Sequence, residues 1–129
     1  MSNDTPCPCG LPARYAACCG RFHGSAGSGH APDAEALMRS RYSAYVLQLG
    51  RYLQGTWHVS TRPIEAPVFE PGLRWLGLEV KRAEQQGTDH ATVEFIARSK
   101  LGGRANRLHE TSRFVRESGR WYYLDGEVR

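Results

Sequence analysis

The sequence predicts an α+β fold, with a long amphipathic helix packed on an antiparallel sheet and a small cysteine-rich unit ahead of both. Three observations support this prediction. All four cysteines of the 129-residue chain lie within residues 7–19. Apolar residues then recur at three- and four-residue spacing over residues 33–49, as in a helix with one buried face. From residue 75 onward the apolar period changes to two, as in strands joined by short turns.

The cysteine-rich unit has the form C-x-C, eight residues, C-C, with Cys7, Cys9, Cys18 and Cys19 as its thiols. Two closely spaced thiols at each end of a short loop can close around one ion in a tetrahedral site of four sulfurs. A disulfide between neighbouring cysteines needs backbone distortion, whereas pairing across the loop and free thiols stay open as alternatives. We expect one Zn²⁺ bound by the four cysteines, and His23 as a surface residue because the tetrahedron is already complete.

Charge and hydropathy narrow the classes of partner. The formal net charge is +4, but four thiolates and one Zn²⁺ contribute −4 + 2 = −2, which leaves about +2. The positive charges are scattered singly along the chain, so nucleic acid is not an expected partner. No apolar run has the length of a signal peptide or a membrane span. We therefore expect a cytoplasmic protein without a membrane partner, in a compartment that keeps thiols reduced.

The composition predicts two units and a linker. Residues 1–23 form the zinc-binding unit, of which residues 1–6 are polar and expected to fray. Residues 24–31 are small and rich in glycine and serine, as in a flexible linker. Residues 32–129 form the larger domain. These units are expected to have separate cores.

The long helix of the larger domain is predicted to begin after Asp33, a suitable N-cap, and to stop at Gly50. A second short helix is expected at about residues 50–56. Arg41 lies on the apolar stripe of the first helix, so it must meet a carboxylate or carbonyl groups, or extend to solvent. We expect Glu110 or Glu94 as its partner.

The sheet is predicted to be a four-stranded meander, because four alternating stretches follow one another with short turns between them. The second and third strands are expected to meet at a Gly102-Gly103 turn, and the third and fourth at Ser118-Gly119. The residues expected on one face are Leu76, Leu78 and Val80 in the first strand, Ala91, Val93, Phe95 and Ala97 in the second, and Leu108, Glu110, Ser112 and Phe114 in the third.

The cysteine unit resembles the SEC-C motif, which is named for the carboxyl-terminal tail of the translocase ATPase SecA. The matching residues are C-P-C-G at 7–10, the basic–aromatic pair at 14–15 and C-C-G at 18–20. The resemblance implies that these cysteines bind zinc. The sequence departs from the motif at residues 11–13, where Leu-Pro-Ala stands in place of the usual Ser-Gly-Lys, on the loop surface that meets partners.

The remainder of the chain is similar to the YchJ-type family of uncharacterised bacterial proteins. The resemblance implies a nuclear-transport-factor-2-like (cystatin-like) domain, in which a curved antiparallel sheet wraps a long helix around a cone-shaped cavity. The matching stretches are A-L-M-R-S-R-Y-S-A-Y at 36–45, T-W-H at 56–58, W-L-G-L at 75–78, V-E-F at 93–95, L-H-E-x-S-R-F at 108–114 and W-Y-Y-x-D-G at 121–126.

A concave sheet over a helix leaves a cavity whose lining decides function. A glutamate with a raised pKa beside a histidine there can act as a general acid or base, but a structural pair between Arg41 and Glu110 is the preferred interpretation. The residues predicted to line the cavity and bind a ligand are Arg41, Tyr45, Trp57, His58, Glu94, His109, Glu110, Tyr123 and Asp125.

Three functions are compatible with the sequence. The first is a zinc-binding adaptor, whose closed four-cysteine site is structural and docks a protein partner, while the larger domain binds a small ligand or a second copy. The second is a small cavity enzyme of the hydrolase, isomerase or dehydratase type. The third is association with RNA or the ribosome through Arg14, Arg21 and neighbouring bases. The first is preferred, in a monomer or homodimer and without an assigned catalytic residue.

Overall fold

The structure is a computed structural model that describes residues 5–23 and 29–129, so residues 1–4 of the expected frayed terminus and residues 24–28 of the expected linker lie outside it. The fold is α+β, as predicted. Among the described residues no helix is long and apolar enough to cross a membrane. In chain order the elements are a 3-10 turn at Tyr15–Ala17, α1 (Gly20–His23), α2 (Ala34–Leu47), α3 (Gly50–Gly55), β1 (Arg74–Gln86), β2 (His90–Leu101), β3 (Arg104–Glu117) and β4 (Arg120–Val128).

Helix α2 begins where the sequence predicts but ends earlier. The Asp33 carboxylate accepts a hydrogen bond from the backbone N–H of Ala36 at 2.8 Å, which is an N-cap interaction. Gln48 adopts the left-handed conformation (φ 59°) and its N–H turns back to carbonyls of the last turn, which closes the helix after 14 residues. Its length is therefore about 21 Å, and the prediction of a long helix is not supported. Gly50 starts α3 instead of ending α2, and the predicted second short helix is confirmed.

The four strands form an antiparallel sheet in the order β1-β2-β3-β4, as the alternating pattern predicts. Both predicted turns are present, with positive φ at both central residues of each: 57° and 79° at Gly102 and Gly103, and 54° and 78° at Ser118 and Gly119. Such turns match the twist of the flanking strands. Helix α2 packs on one face of the sheet, and the buried core between them consists of Ala34, Leu37, Met38, Tyr42, Ala91, Val93, Phe95, Ala97, Phe114 and Trp121.

Strand β1 departs from the predicted alternation at its first residues. The pairing with β2 is irregular between Trp75 and Gly77, so one residue is inserted into the ladder and the side chains around it change faces. As a result Leu76, predicted to face the core, is 55% exposed. Trp75 packs against the core in its place.

Candidate metal site and cavity

The four cysteine sulfurs form one compact cluster. All lie within 4.8 Å of one another, and the four residues are buried, with exposed fractions between 0% and 5%. Four thiolates at tetrahedral corners around Zn²⁺, with Zn–S distances of about 2.3 Å, lie about 3.8 Å apart. The Sγ atoms of Cys9 and Cys18 are 3.7 Å apart, far from the bonded distance of a disulfide. The donor set therefore fits a metal ion of the zinc type.

The backbone of residues 7–20 is shaped to bring the sulfurs together. The N–H of Cys7 donates to the carbonyl oxygen of Ala13 at 3.0 Å, which closes the loop. Gly10 has φ 91°, a conformation that residues with side chains rarely adopt. A Cβ on Gly20 would lie 2.7 Å from the Tyr15 carbonyl oxygen. The glycines that follow the two cysteine pairs thus serve different purposes, one for a turn and one for close backbone approach.

The cysteine thiols shift one another's pKa values in opposite directions. The Cys9 pKa is lowered to about 5, chiefly by a hydrogen bond from the Cys19 thiol and also by the backbone N–H of Leu11. The Cys19 pKa is raised because its proton bonds to Cys9 and because it is buried. Burial is the main cause that raises the Cys18 pKa to about 11. Clustered thiols of this kind need a cation before all can ionise.

Helix α2 supplies groups that contact the cysteine unit. Arg39 Nη1 donates to the carbonyl oxygen of Cys9 at 3.0 Å, and Arg39 Nε pairs with Glu35 at 3.0 Å. The Ser43 hydroxyl, which is fully buried, lies 3.7 Å from Cys7 Sγ. Leu78 of β1 packs against the cysteines and against the main core. The two cores are distinct, but they are joined along α2.

His23 was expected at the surface and is instead half-buried between the cysteine unit and α2. Its Nε2 donates to the Ser40 carbonyl oxygen at 2.8 Å, so Nδ1 of the neutral ring accepts from the Tyr15 hydroxyl at 2.7 Å. The ring of Tyr52 meets it edge-on with centroids 4.6 Å apart. Burial lowers the His23 pKa, which favours this neutral form. The spacing of the cysteines gave no signal for this contact.

A cavity of about 270 Å³ lies between α2 and the sheet. Five of the residues predicted to line it do so, namely Arg41, Tyr45, Trp57, Glu110 and Tyr123. The other lining residues were not predicted to belong to the cavity, although most were predicted to face the core. These are Met38, Tyr42, Trp75, Phe95, Ala97, Leu108, Ser112 and Phe114. Five of them, two in β2 and three in β3, could have been predicted from the alternation of side chains, because they lie on the same face of the sheet as Glu110. Trp75 could not, because the irregularity in β1 changes the face on which it lies.

Glu94 and His109 were predicted to line the cavity and lie on the opposite face of the sheet. Side chains alternate along a strand, so His109 points away from the face of its neighbour Glu110. His109 Nε2 pairs with Glu94 Oε2 at 2.7 Å, and this contact lowers the Glu94 pKa. An acid–base pair of Glu110 with its neighbour His109, which was the less favoured interpretation of the sequence, is therefore not assembled.

His58 and Asp125 also lie outside the cavity lining. His58 Nε2 pairs at 3.0 Å with Glu117, which is the last residue of β3. Asp125 pairs with Arg113 at 2.5 Å, and both side chains are nearly half-exposed. Both residues therefore form pairs at the surface of the sheet. Their partners come from other segments of the chain, so the spacing of residues in the sequence does not predict these pairs.

Arg41 is buried, with 6% of its surface exposed, but its predicted partner is wrong. The described residues contain no ion pair between Arg41 and either Glu110 or Glu94. Instead Nη1 donates to the Leu53 carbonyl oxygen at 2.7 Å and to the Thr56 hydroxyl at 2.6 Å. These acceptors lie at the carboxyl end of α3, where helix carbonyls are left unpaired and attract a cation.

Two aromatic rings cover the Arg41 guanidinium. Its central carbon lies 5.2 Å from the ring of Trp57 and 4.6 Å from that of Tyr123, within the range of cation–π contacts. Glu110 instead accepts a hydrogen bond from the Ser112 hydroxyl at 2.6 Å. The cavity therefore holds a cation and a carboxylate that are not paired with each other.

Comparison with known proteins places this architecture in a family. Residues 33–126 match the family described as "YchJ, middle NTF2-like domain". A UPF0225 protein of Methylibium petroleiphilum is 63% identical over 123 residues, which cover 95% of this chain and 88% of the relative. A UPF0225 protein of Bordetella parapertussis is 56% identical over 128 residues, 99% of this chain and 96% of the relative.

Two solved structures are similar over nearly the whole chain. The solution structure of a SEC-C motif-containing protein from Rhodopseudomonas palustris has a TM-score of 0.81 and 36% identity, with 95% of this chain and 98% of that chain covered. The crystal structure of a SEC-C motif-containing protein from Psychrobacter arcticus has a TM-score of 0.81 and 29% identity, with 100% and 86% covered. The chain thus belongs to the YchJ (UPF0225) family, with an NTF2-like domain behind a cysteine cluster that fits an N-terminal SEC-C motif.

Proposed function

We propose that the protein is a zinc-binding adaptor, in which Cys7, Cys9, Cys18 and Cys19 hold one Zn²⁺ in a closed structural site. The observation that carries this proposal is the buried cluster of four sulfurs within 4.8 Å of one another. Four thiolates complete a tetrahedral zinc shell and leave no position for substrate, unlike catalytic zinc sites with three protein ligands. When bound, the metal supplies positive charge that holds the loop of residues 7–20 closed.

The surface of the zinc unit supports a protein partner. Leu11 is 40% exposed, and Pro12, Ala13, Ala16 and Ala17 beside it are also exposed. The exposed Leu11 offers an apolar contact to another protein, because the buried core of an interface is more apolar than the rest of the surface. The partner we propose is therefore a protein with an apolar patch, bound in a reducing compartment, the cytoplasm, where the thiols stay available for metal.

The larger domain contributes a ligand cavity rather than a catalytic centre in this proposal. Its lining joins apolar walls to a few polar groups, as small-molecule sites do. Glu110 faces the cavity and His109 faces away from it, so the general acid–base pair that an enzyme of this kind would use is divided between two faces.

The test is native mass spectrometry of the full-length, untagged protein purified from its own host. It reports the metal, any bound small molecule and the number of chains together. The proposal predicts one zinc per chain and a co-purifying protein. The matched variant replaces residues 11–13 by Leu11→Ser, Pro12→Gly and Ala13→Lys.

This variant is expected to keep zinc and lose the partner. Ile64→Lys provides the control, because Ile64 is 97% exposed and belongs to the loop between α3 and β1. A partner retained by the triple variant, or lost equally by the control, contradicts the adaptor role.

A further inference from the structure

Arg41 is a buried charge that forms no direct ion pair among the described residues, although the Glu110 carboxylate lines the same cavity and attracts it at longer range. Its exposed fraction is 6%, and its hydrogen-bond acceptors, the Leu53 carbonyl and the Thr56 hydroxyl, are neutral. The described part of the chain contains no carboxylate in an ion pair with it. Removing a charge from water is costly unless an opposite charge or several hydrogen bonds compensate, so an anion bound beside Arg41 would be strongly favoured.

The guanidinium also has donors to spare. Within residues 5–23 and 29–129, every hydrogen bond of Arg41 leaves from Nη1, so the N–H groups of Nε and Nη2 have no acceptor. The rings of Trp57 and Tyr123 cover the guanidinium, and the side chain lines the cavity. Two N–H groups along one edge of a guanidinium match the two oxygens of a carboxylate.

The polar end of the cavity offers more donors than acceptors. The side chains of Arg41 and Tyr123 both line this end. Burial raises the Tyr123 pKa to about 12, so its hydroxyl keeps its proton at neutral pH. Glu110 is the carboxylate of the lining, and one of its oxygens already accepts from Ser112. A ligand that fits this end brings an acceptor.

The rest of the cavity restricts the ligand's size and polarity. Its volume of about 270 Å³ corresponds to roughly nine water molecules at about 30 Å³ each. The walls away from Arg41 are apolar and include Met38, Phe95 and Leu108. This space suits one aromatic ring or a branched aliphatic chain with a short polar head.

We propose that the cavity binds a small organic monocarboxylate with an aromatic or branched apolar body, held by its carboxylate on Nε and Nη2 of Arg41. This inference rests on the proposed binding role of the cavity and names its ligand class. Glu110 lines the same space and repels a second negative charge, so it selects monoanions over dianions. Arg41 thus has two duties, since Nη1 holds the end of α3 while the other edge receives the ligand.

Three probes test the assignment on the full-length, zinc-loaded protein: phenylacetate, its neutral isostere phenylacetamide and the cationic 2-phenylethylamine, which has a similar size. Binding is followed by calorimetry and by the fluorescence of Trp57 and Trp75, which both line the cavity. Phenylacetate is expected to bind about tenfold or more tightly than the amide, because hydrogen bonds between charged groups are stronger than neutral ones. The amine is expected not to bind.

A substitution that does not depend on removing Arg41 gives a second reading. Glu110→Gln removes the repelling charge and is expected to tighten phenylacetate several-fold while leaving the amide unchanged. Glu94→Gln, on the opposite face of the sheet, is the matched control and is expected to change neither. Arg41→Gln is expected to abolish binding of the acid, provided that a melting curve shows the variant to be folded.

The outcomes separate this inference from the proposed function. Equal affinity for acid and amide, or tighter binding of the amine, overturns the carboxylate assignment and leaves the cavity as a binding site of another class. If none of the three probes binds to the wild type or to the Glu110→Gln variant, the carboxylate assignment is also overturned. In that case a native mass spectrum without any bound small molecule removes the ligand role of the cavity as well.

Discussion

Arg39 on helix α2 donates a hydrogen bond to the backbone carbonyl of Cys9, with 3.0 Å between Nη1 and the oxygen. This contact joins the metal site to the helix that carries the cavity residues. Ser43, one turn further along the helix, approaches Cys7 Sγ. Groups that orient metal ligands in this way tune the affinity of the site. The cysteine unit is therefore attached to the larger domain by specific contacts as well as by the chain.

Removal of the metal is expected to unfold residues 7–23 and leave the sheet intact. The main core contains no cysteine, whereas the cysteine unit is too small to fold on a core of its own without the proposed metal. Amide spectra recorded before and after addition of a chelator test this, with zinc added back as the control. We expect the signals of β2 and β3 to persist, and those of residues 39–43 to shift because their contacts are lost. Collapse of the sheet signals would show that the two units are one cooperative domain.

Gly20→Ala is expected to damage the metal site although it changes no ligand. The new Cβ would lie 2.7 Å from the Tyr15 carbonyl oxygen, a backbone atom that cannot move without shifting the cysteines. We expect a weakened metal affinity and a lower unfolding temperature. Gly55→Ala is the matched control, because nothing lies within 4 Å of a Cβ at that position. If the two variants bind zinc equally, the close approach at Gly20 has no role in the site.

The sequence predicts most of the fold because the relevant signals are local. Each of these signals acts within a few residues. They are the cap at Asp33, the change in the spacing of apolar residues from three or four to two, and the glycine turns. The end of α2 was harder to predict, since no propensity marks Gln48 as the residue that turns left-handed. The reversed orientation of Trp75 and Leu76 depends on an inserted residue in the pairing of β1 with β2, which a single strand's sequence does not reveal.

The metal site was more predictable than the cavity. Four cysteines at short spacing nearly specify their own geometry, so Cys7, Cys9, Cys18 and Cys19 could be predicted as a set. The hydrogen-bond partner of Arg41 could not be predicted in this way, because one acceptor is the backbone carbonyl of Leu53 and every residue has such a carbonyl. Including His109 with Glu110 overlooked the alternation of side chains along a single strand.

Arg41→Ala is expected to destabilise the fold by about 3 kcal/mol or more, because hydrogen bonds from a charged group are lost and a buried carbonyl loses its partner. Denaturant unfolding measures this change. Arg98→Ala, at a half-exposed position, is the control and is expected to cost about 0.5 kcal/mol or less. Adding Glu110→Leu to an Arg41→Met variant is not expected to recover stability. Recovery in that double variant would restore Glu110 as the structural partner.

The contact of His23 with Ser40 predicts a pH dependence. Burial lowers the His23 pKa in the folded protein. In the unfolded chain the pKa of a histidine is about 6.5, so the folded protein has the lower value. The unfolded state therefore binds the proton first, and stability is lost as the pH falls below about 6.5. Melting curves at about one pH unit above and one below this value, with zinc present, should show a larger loss for the wild type than for His23→Gln. His90→Gln, at an exposed histidine, should behave as the wild type, and an identical loss in all three proteins would contradict this role of His23.

The metal content of the untagged protein, made under reducing conditions with zinc present, is the most direct test of the proposed zinc site. Native mass spectrometry against the denatured mass is expected to show one zinc ion per chain. Replacing Cys9 by serine should abolish it, because Cys9 is fully buried and is one of the four clustered sulfur donors. Ser99→Ala, which removes a buried hydroxyl on β2 that does not belong to the cluster, should keep the ion. A metal content at or near zero in the wild type, with all four thiols intact, would contradict the account.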